Sequence, residues 1–273
     1  MELAILSDEI SLDLEESMRE GHALGLRKYE IRCLDDFEHR VPDFLPGRTE
    51  RLEELVADGS IEVTALTPGT FKILPGERDT LRRQLDDVLP RTCALARRLG
   101  APRVIVFGFL TADAAGRAEA LKRLREAAAI VAEHGLEMSV ENEPGSYCDT
   151  GVKTAQMISE IALEHVGINW DPANAVVAGE AAYPIGYEAV RPFLQNVHLK
   201  DAIPLPGGKW ENRLLGDGGM NWVGQLDALL RDRPVPHLTL ETHVFPVLEA
   251  TREDLRRLKV LFAAARQLPR PAQ

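Results

Sequence analysis

Cysteine is scarce in this chain, which has only Cys33, Cys93 and Cys148 among its 273 residues. The number is odd and the spacings match no metal-binding motif, so the sequence predicts neither a disulfide framework nor a zinc site built from thiolates. Cys148 has no histidine motif near it and is expected to be an inert thiol. This use of cysteine fits the reducing cytoplasm.

Basic residues are also fewer than acidic ones. Lys and Arg total 32 against 43 for Asp and Glu, the formal net charge is -11, and no stretch of the chain is rich in Lys or Arg. Such a surface repels a phosphate backbone, so a nucleic-acid partner is not expected.

Long apolar runs are missing as well. No run approaches the roughly 20 residues that span a bilayer, and the start, MELAILSDEIS, lacks the basic segment of a secretory signal. We therefore expect no membrane partner and a cytoplasmic location. The 45% of hydrophobic residues is typical of a globular protein with a sizeable core. Assembly into a homo-oligomer stays open.

Short apolar or β-branched runs recur along the chain and predict eight strands. They are ELAIL from 2, KYEIRCL from 28, IEVTAL from 61, PRVIVF from 102, LEMSVE from 136, VGINWD from 166, NVHLKD from 196 and HLTLE from 237. Helical periodicity separates them, for example over 77–99, 118–133 and 251–266. Pro90 is expected to kink or split the first of these helices, and Thr251 with Asp254 to cap the start of the last.

Strict alternation of strands and helices predicts parallel strands with right-handed crossovers. Eight such units in one chain favour a single α/β domain over residues 1–273, a (β/α)8 TIM barrel with residues 266–273 as a loose tail. Glycines before strands, in RRLGAPRV, EHGLEM and HVGIN, are expected to end the preceding helices. An open doubly wound sheet is the alternative, but SDEIS stands where its glycine-rich phosphate loop would be.

The last four predicted strands alternate polar and apolar residues, whereas buried parallel strands are usually apolar on both faces. If the polar face points into the barrel, Glu141, Asp171, His198 and Glu241 meet at its C-terminal mouth, where barrel enzymes hold their active sites. One layer below lie residues expected to orient them, namely Ser139, Asn169, Asn196 and Thr239.

Three carboxylates and an imidazole cannot converge without a cation, because like charges raise one another's pKa. A divalent ion resolves the conflict, and this donor set suits manganese, magnesium or zinc. Each residue also has an ordinary explanation. Glu141 or Glu241 taken alone is typical of a solvent-exposed loop carboxylate, and His198 taken alone of a hydrogen-bonded histidine in the core. Asp171 before Pro172 is typical of a helix N-cap. Their coincidence on consecutive strands favours the metal site.

Further candidates surround this set. Glu143 is a substrate-hydroxyl partner or a rim charge, and Lys200 contacts substrate oxygens or pairs with Asp201 or Glu241. Several other residues either line the cavity or belong to the ordinary surface, namely Glu30, Arg32, Lys72, Trp210, Arg213 and His243. The turn LGDGGMNW, 215–222, is interpreted as structural rather than as a phosphate site, because Asp217 lies within it.

The strand ends VENEPG, NWDPANA, NVHLKD and LETH, in this order, resemble the xylose isomerase-like TIM barrels, in particular the sugar phosphate isomerases and epimerases. The resemblance covers essentially the whole chain. It implies one divalent metal ion on Glu141, Asp171, His198 and Glu241, most commonly manganese, with magnesium, zinc or cobalt as alternatives. It also implies that Glu141 and Glu241 flank the substrate as an acid/base pair.

The chain departs from parts of this family. Ketose 3-epimerases carry Glu, Arg and His where Tyr147, Pro204 and Asn174 stand here, which leaves Asn174 as a candidate substrate contact. Apurinic-site endonucleases share the fold but need further histidines where this chain reads ALTP and VFGF. That activity is therefore disfavoured.

The expected function is a metal-dependent sugar or polyol isomerase or epimerase, acting by carboxylate-mediated proton transfer next to a carbonyl that the metal polarises. Substrate contacts are assigned to Glu143, Asn174, Lys200, Arg213 and His243. A dehydratase or lyase acting on a keto-sugar or inosose is the first alternative, and a barrel that binds a sugar without converting it is the second.

Overall fold

A computed structural model of the chain describes residues 1–269 and contains a closed barrel of eight parallel strands. The strands, in chain order, are β1 Glu2–Leu6, β2 Lys28–Ile31, β3 Glu62–Leu66, β4 Arg103–Phe107, β5 Glu137–Glu141, β6 Val166–Trp170, β7 Leu194–Leu199, β8 Asp201–Leu205, β9 Lys209–Arg213 and β10 His237–Leu240. All but β8 and β9 belong to the barrel, which confirms the predicted (β/α)8 TIM barrel and its eight strands.

Closure of the barrel brings the first and last strands together. Around the barrel the order is β1-β10-β7-β6-β5-β4-β3-β2, and β1 pairs with both β10 and β2. Ile5 lies opposite Leu240 in this pairing, so the residues that follow β1 lie next to those that follow β10. The C-terminal ends of all eight strands therefore form one rim.

Helices cover the outside of the barrel. Their bounds are α1 Leu14–Ala23, α2 Arg48–Ala57, α3 Arg78–Arg83, α4 Leu89–Arg98, α5 Ala114–Glu133, α6 Gly151–Ile161, α7 Pro172–Val177, α8 Tyr187–Val190, α9 Trp222–Asp232 and α10 Val247–Ala265. A π-helical segment, Gln84–Val88, joins α3 to α4 directly before Pro90. Proline lacks the N–H that would continue an α-helical ladder, so the predicted break in this helix is confirmed.

The expected cap of the last helix is wrong. Helix α10 begins at Val247, four residues before Thr251, and its N-cap is Pro246. Thr251 and Asp254 are fully buried inside the helix. The Thr251 hydroxyl donates to the Glu9 carbonyl at 2.6 Å, so these polar side chains make tertiary contacts instead of capping.

Two of the three expected helix-ending glycines are confirmed. Gly100 and Gly135 follow α4 and α5 in the left-handed conformation, with φ of 67° and 66°. Gly167 instead lies within β6, and α6 ends at Ile161, followed by its C-cap Ala162, which itself adopts a φ of 55°.

The last described helix is followed by a short segment. Helix α10 ends at Ala265, and residues 266–269 form a turn, while the rest of the predicted loose tail, 270–273, lies outside the described residues. Among residues 1–269, no helix combines the length and the apolar character that crossing a bilayer requires.

Candidate metal centre and active site

The four predicted metal ligands converge at the C-terminal mouth of the barrel. Glu141 ends β5, Asp171 follows β6, His198 lies near the end of β7 and Glu241 follows β10. Each offers one ligand atom, and these atoms all lie within 4.8 Å of one another. None of the four residues is more than 4% exposed.

This donor set fits a divalent ion. Three carboxylate oxygens and one imidazole nitrogen are ligands that manganese, magnesium and zinc accept. Around an ion with bonds of about 2.1 Å, opposite ligand atoms lie about 4.2 Å apart, so a spread of up to 4.8 Å needs only small side-chain movements. The residues could therefore hold a single ion jointly.

The imidazole of His198 is fixed from both sides. Its Nε2 lies 3.0 Å from Glu30 Oε2, and its Nδ1 lies 3.1 Å from Glu241 Oε2 and 3.6 Å from Glu141 Oε1. A proton on Nε2 donated to Glu30 leaves Nδ1 free to bind a metal, an arrangement common for metal-binding histidines. Burial alone would lower the pKa of His198, but the surrounding carboxylates outweigh it and raise that pKa well above its ordinary value.

Glu30 is the residue behind His198, and it is fully buried. Its carboxylate accepts hydrogen bonds from Thr67 Oγ1 at 2.7 Å and from Asn196 Nδ2 at 3.2 Å, besides its contact with His198. The sequence interpretation left Glu30 as a residue that could equally belong to the surface. The available signal was the alternation of Lys28, Glu30 and Arg32 along β2, the same polar face that marked the last four strands.

The layer predicted to orient the ligands is confirmed only in part. Asn169 Nδ2 donates to Glu141 Oε2 at 3.0 Å, whereas Asn196 acts through Glu30, and Thr239 Oγ1 donates to Asn196 Oδ1 at 3.3 Å. Ser139 does not reach the ligands. Its hydroxyl donates to Gln195 Oε1 at 2.7 Å, because a register shift between β6 and β7 brings Gln195 beside it.

Glu241 is the most heavily contacted ligand. Its Oε1 accepts from Arg32 at 2.8 Å and lies 3.1 Å from His243 Nε2, while its Oε2 contacts Lys200 Nζ at 3.2 Å. Burial raises the pKa of Glu241, but Lys200, His243 and His198 outweigh burial and hold that pKa well below its ordinary value. The carboxylate is therefore ionised and able to bind a metal or accept a proton.

Arg32 and His243 link this ligand to the first strand. Arg32 pairs with Asp8 at 2.5 Å and with Glu9 at 3.4 Å, and His243 Nδ1 lies 2.6 Å from Glu9 Oε1. Burial lowers the pKa of His243, but the neighbouring carboxylates of Glu241 and Glu9 raise it to about 9. His243 is therefore protonated at neutral pH in this arrangement. The roles of Asp8 and Glu9 were not foreseen from the sequence.

Lys200 lies inside the ligand set. Its ammonium contacts Asp171 Oδ2 at 2.5 Å and Glu241 Oε2 at 3.2 Å, so it pairs with two of the oxygens that would hold an ion. Burial alone would lower the pKa of Lys200, but Asp171 and Glu241 raise it well above its ordinary value. Of the two pairings considered from the sequence, the one with Glu241 is present.

Asp201 has a different partner, the glycine-rich turn at 215–222. Its carboxylate accepts hydrogen bonds from the backbone N–H groups of Gly216 at 2.9 Å, Gly218 at 3.2 Å and Met220 at 3.2 Å. An internal carboxylate thus occupies the donors that a phosphate would need, which supports the structural interpretation of this turn.

A cavity of about 210 Å³ is lined by three of the candidate ligands, Glu141, His198 and Glu241, and several predicted substrate contacts lie on its wall. Glu143 pairs with Lys72 at 2.8 Å and accepts from Asn174 Nδ2 at 3.3 Å. Other lining residues are Arg32, Arg40, Lys200, Trp210, Asn212 and His243. Trp210 and Asn212 come from the β8–β9 hairpin, which the sequence interpretation treated as a plain loop.

Arg213 is not brought to this cavity. Its guanidinium pairs with Glu211 of the same strand at 2.7 Å, and both side chains are exposed. Tyr147, which stands at a position where ketose 3-epimerases carry Glu, is also directed elsewhere. Its hydroxyl accepts from the backbone N–H of Ala112 at 2.8 Å and donates to the Asp113 carbonyl at 2.8 Å, so it holds the loop after β4.

Comparisons with known proteins agree with this architecture. The family model described as xylose isomerase-like TIM barrel matches residues 18–261. Among solved structures, the IOLI protein with a bound zinc atom is 16% identical, with a TM-score of 0.79 over 96% of this chain and 98% of that chain. No curated protein matches the chain in sequence.

Two further structures are similar. The probable 3-DHS dehydratase AsbF from Bacillus anthracis is 16% identical, with a TM-score of 0.75 over 95% of this chain and 99% of that one. An L-ribulose 3-epimerase is 15% identical, with a TM-score of 0.76 over 98% and 96% of the two chains. Because the family match extends over residues 18–261, most of the barrel, the chain belongs to the xylose isomerase-like TIM barrel family.

Proposed function

We propose that this protein is a divalent-metal-dependent enzyme that moves a proton next to a carbonyl group of a small sugar or polyol. The observation that carries this proposal is the convergence of Glu141, Asp171, His198 and Glu241, buried at the mouth of the barrel with one ligand atom each within 4.8 Å. Similar structures are named as an epimerase and as a dehydratase, so family membership alone does not choose the reaction.

We assign manganese as the ion, with magnesium, zinc or cobalt as substitutes, because carboxylate oxygens outnumber nitrogen in the donor set. Bound there, the ion would supply Lewis-acid stabilisation of negative charge that develops on the substrate oxygen.

The chain itself supplies the proton-transfer groups. Glu141 ends β5 and Glu241 follows β10, and β6 and β7 separate these two strands around the barrel, so the two carboxylates approach a substrate from different sides. One carboxylate takes the proton from the carbon next to the carbonyl, and the other, in its protonated form, returns a proton either to the opposite face of that carbon, which gives epimerisation, or to the former carbonyl carbon, which gives isomerisation. Isomerisation or epimerisation is the result, and this is our first assignment.

Dehydration is the second candidate, and a specific observation favours it. Loss of a hydroxyl as water needs an acid beside the leaving oxygen. Lys200 and the protonated His243 both line the cavity and contact Glu241. Tyr147, Pro204 and Asn174 also replace the residues expected of a ketose 3-epimerase.

Proton exchange with solvent tests the proposal directly. Protein loaded with manganese is incubated with candidate ketoses and inososes in D₂O, and nuclear magnetic resonance follows the C–H signal next to the carbonyl. After quenching and removal of manganese, we expect loss of that signal for the true substrate, and dehydration would add the ultraviolet absorbance of a conjugated carbonyl. A ligand that binds without any exchange would identify a binding protein instead.

Glu141→Gln and Glu241→Gln are compared with Glu164→Gln, which changes an exposed glutamate before β6. Metal content is measured for each variant, so that loss of the ion is separated from loss of the proton-transfer group. Each site variant is expected to lower exchange at least about 100-fold, a typical contribution of a positioned acid or base. Near-normal exchange in both site variants would refute the assigned roles.

A further inference from the structure

Besides the candidate ligand His198, five basic side chains line the cavity at the candidate metal ligands, and four of them have carboxylate partners within the chain. Arg32 pairs with Asp8 and Glu241, Lys72 with Glu143, Lys200 with Asp171 and Glu241, and His243 with Glu9 and Glu241. The fifth, Arg40, makes no ion pair and no side-chain hydrogen bond with any residue in 1–269.

The backbone around Arg40 is well fixed. Arg40 forms an antiparallel bridge with Cys33, and the N–H of Val41 donates to the Arg32 carbonyl at 3.0 Å. This pairing turns the loop after β2 back over the end of its own strand. The side chain passes Gly69, where a Cβ would lie 3.5 Å from Arg40 Nη1 and 3.9 Å from Cδ. Arg40 is thus a partly buried wall residue rather than a solvated surface arginine.

A guanidinium that lies on a cavity wall and has no carboxylate partner among residues 1–269 is suited to bind an anionic group of a ligand. Its planar set of N–H donors matches the oxygens of a carboxylate or a phosphate, often through two parallel hydrogen bonds. Three of the four candidate ligands, Glu141, His198 and Glu241, line the same cavity of about 210 Å³ as Arg40, so one small molecule can contact both. Ligand cavities usually measure roughly 300–1,000 Å³, so this volume favours a small substrate over an oligosaccharide.

We propose that the substrate carries an anionic group, a carboxylate or a phosphate, which the Arg40 guanidinium binds. This inference rests on the proposed function. The reacting carbonyl lies at the four metal ligands, and the anionic group lies at the opposite, β2–β3 side of the cavity. The substrate class is therefore a sugar acid or a sugar phosphate rather than a neutral sugar.

Binding by manganese-loaded protein tests this inference without requiring turnover. Calorimetry compares the neutral ketose fructose with fructuronate, which carries a carboxylate at C6, and with fructose 6-phosphate, which carries a phosphate there. Wild type is expected to bind at least one of the anionic probes about 10- to 100-fold more tightly than fructose, the range for hydrogen bonds to a charged group. The anionic probe that gains affinity distinguishes a carboxylate from a phosphate.

The variant Arg40→Gln removes the charge and keeps a polar side chain, and Arg78→Gln does the same at an exposed arginine of α3. The preference for the anion should disappear in Arg40→Gln and persist in Arg78→Gln. Equal binding of neutral and anionic probes by wild type, or a preference that survives Arg40→Gln, overturns the inference. Failure of the proposed function would appear separately, as absence of carbon–hydrogen exchange or of bound metal.

Discussion

At the scale of single residues, Asp171 is placed where it caps a helix and also lies among the candidate metal ligands. Its Oδ1 accepts the N–H of Asn174 at 2.9 Å and caps helix α7, as an aspartate before proline is expected to do. Its Oδ2 points to the other ligands, where it contacts Lys200. The cap thus fixes the carboxylate with Oδ2 directed toward the other candidate ligands.

Two substitutions at Asp171 separate these roles. Asp171→Asn retains an oxygen that caps the helix, whereas Asp171→Ala loses the cap and should be about 1 kcal/mol less stable than the Asn variant. Both should bind manganese much more weakly than wild type, because each removes a charged ligand. Urea unfolding measures the stability difference, and competition with a chromophoric chelator measures metal affinity. Wild-type affinity in Asp171→Asn would exclude Asp171 as a ligand.

The sequence predicted the four candidate ligands and some of their neighbours, such as Asn169 and Lys200, but not the contacts that Glu30 and Arg32 make with them. Parity along each strand is a local property, so Glu141, Asp171, His198 and Glu241 could be placed on one face before any fold was known. Arg32 contacts Glu241, which is 209 positions away along the chain, and His198 contacts Glu30, which is 168 positions away. Such contacts depend on closure of β1 against β10, which no local pattern encodes.

At the scale of elements, the β8–β9 hairpin was missed because its sequence does not resemble a buried strand pair. The segment DAIPLPGGKWENR contains two prolines, and its strands are mostly exposed after Ala202. Gly207 and Gly208 adopt φ of 77° and 73° and make the turn, a conformation that favours glycine. The hairpin brings Trp210 and Asn212 to the cavity wall.

Helix α10 is a second element whose details required the structure. Asp254, expected near the helix start, is fully buried and accepts hydrogen bonds from Leu215 N at 2.8 Å and Thr242 Oγ1 at 2.6 Å. It therefore joins α10 to the turn after β9 and to the segment after β10. Burial raises the pKa of Asp254 from 3.8 to about 6, although these two hydrogen bonds lower it.

This raised pKa makes the stability of the protein depend on pH. The folded state binds the Asp254 proton more tightly than the unfolded state does. The stability that this protonated carboxyl contributes is therefore complete below pH 3.8 and is lost as the pH rises through about 6. Asp254→Asn keeps an oxygen that accepts from Leu215 N, presents an NH₂ that donates to Thr242 Oγ1 once that hydroxyl rotates, and removes this titration. Relative to the variant, wild type should lose about 1 kcal/mol between pH 5 and pH 7, measured by urea unfolding. Parallel changes in the two proteins would contradict the expectation.

At the scale of the whole molecule, the two halves of the barrel have different tasks. All four candidate metal ligands come from the second half, on β5, β6, β7 and β10 or directly after them. The first half supplies the residues behind or opposite them, namely Asp8, Glu9, Glu30, Arg32 and Arg40. The sequence indicated the barrel through eight alternating units without a glycine-rich phosphate loop, and it placed the candidate ligands on the last four strands. The contribution of the first half emerged only from closure of the barrel.

A metal ion held at the mouth would connect four strands of the barrel, and this makes metal binding measurable as stability of the whole fold. An ion that binds only the folded state adds about 2.7 kcal/mol to the free energy of unfolding when its concentration is 100 times its dissociation constant. Chelator-treated wild type should therefore gain stability when manganese is added, as urea unfolding would show. His198→Gln should lose most of this gain, whereas His134→Gln, a change at the end of α5, should keep it. An equal gain in all three proteins would mean that manganese binds somewhere other than the mouth, because His198 alone of the two histidines faces the other three ligands.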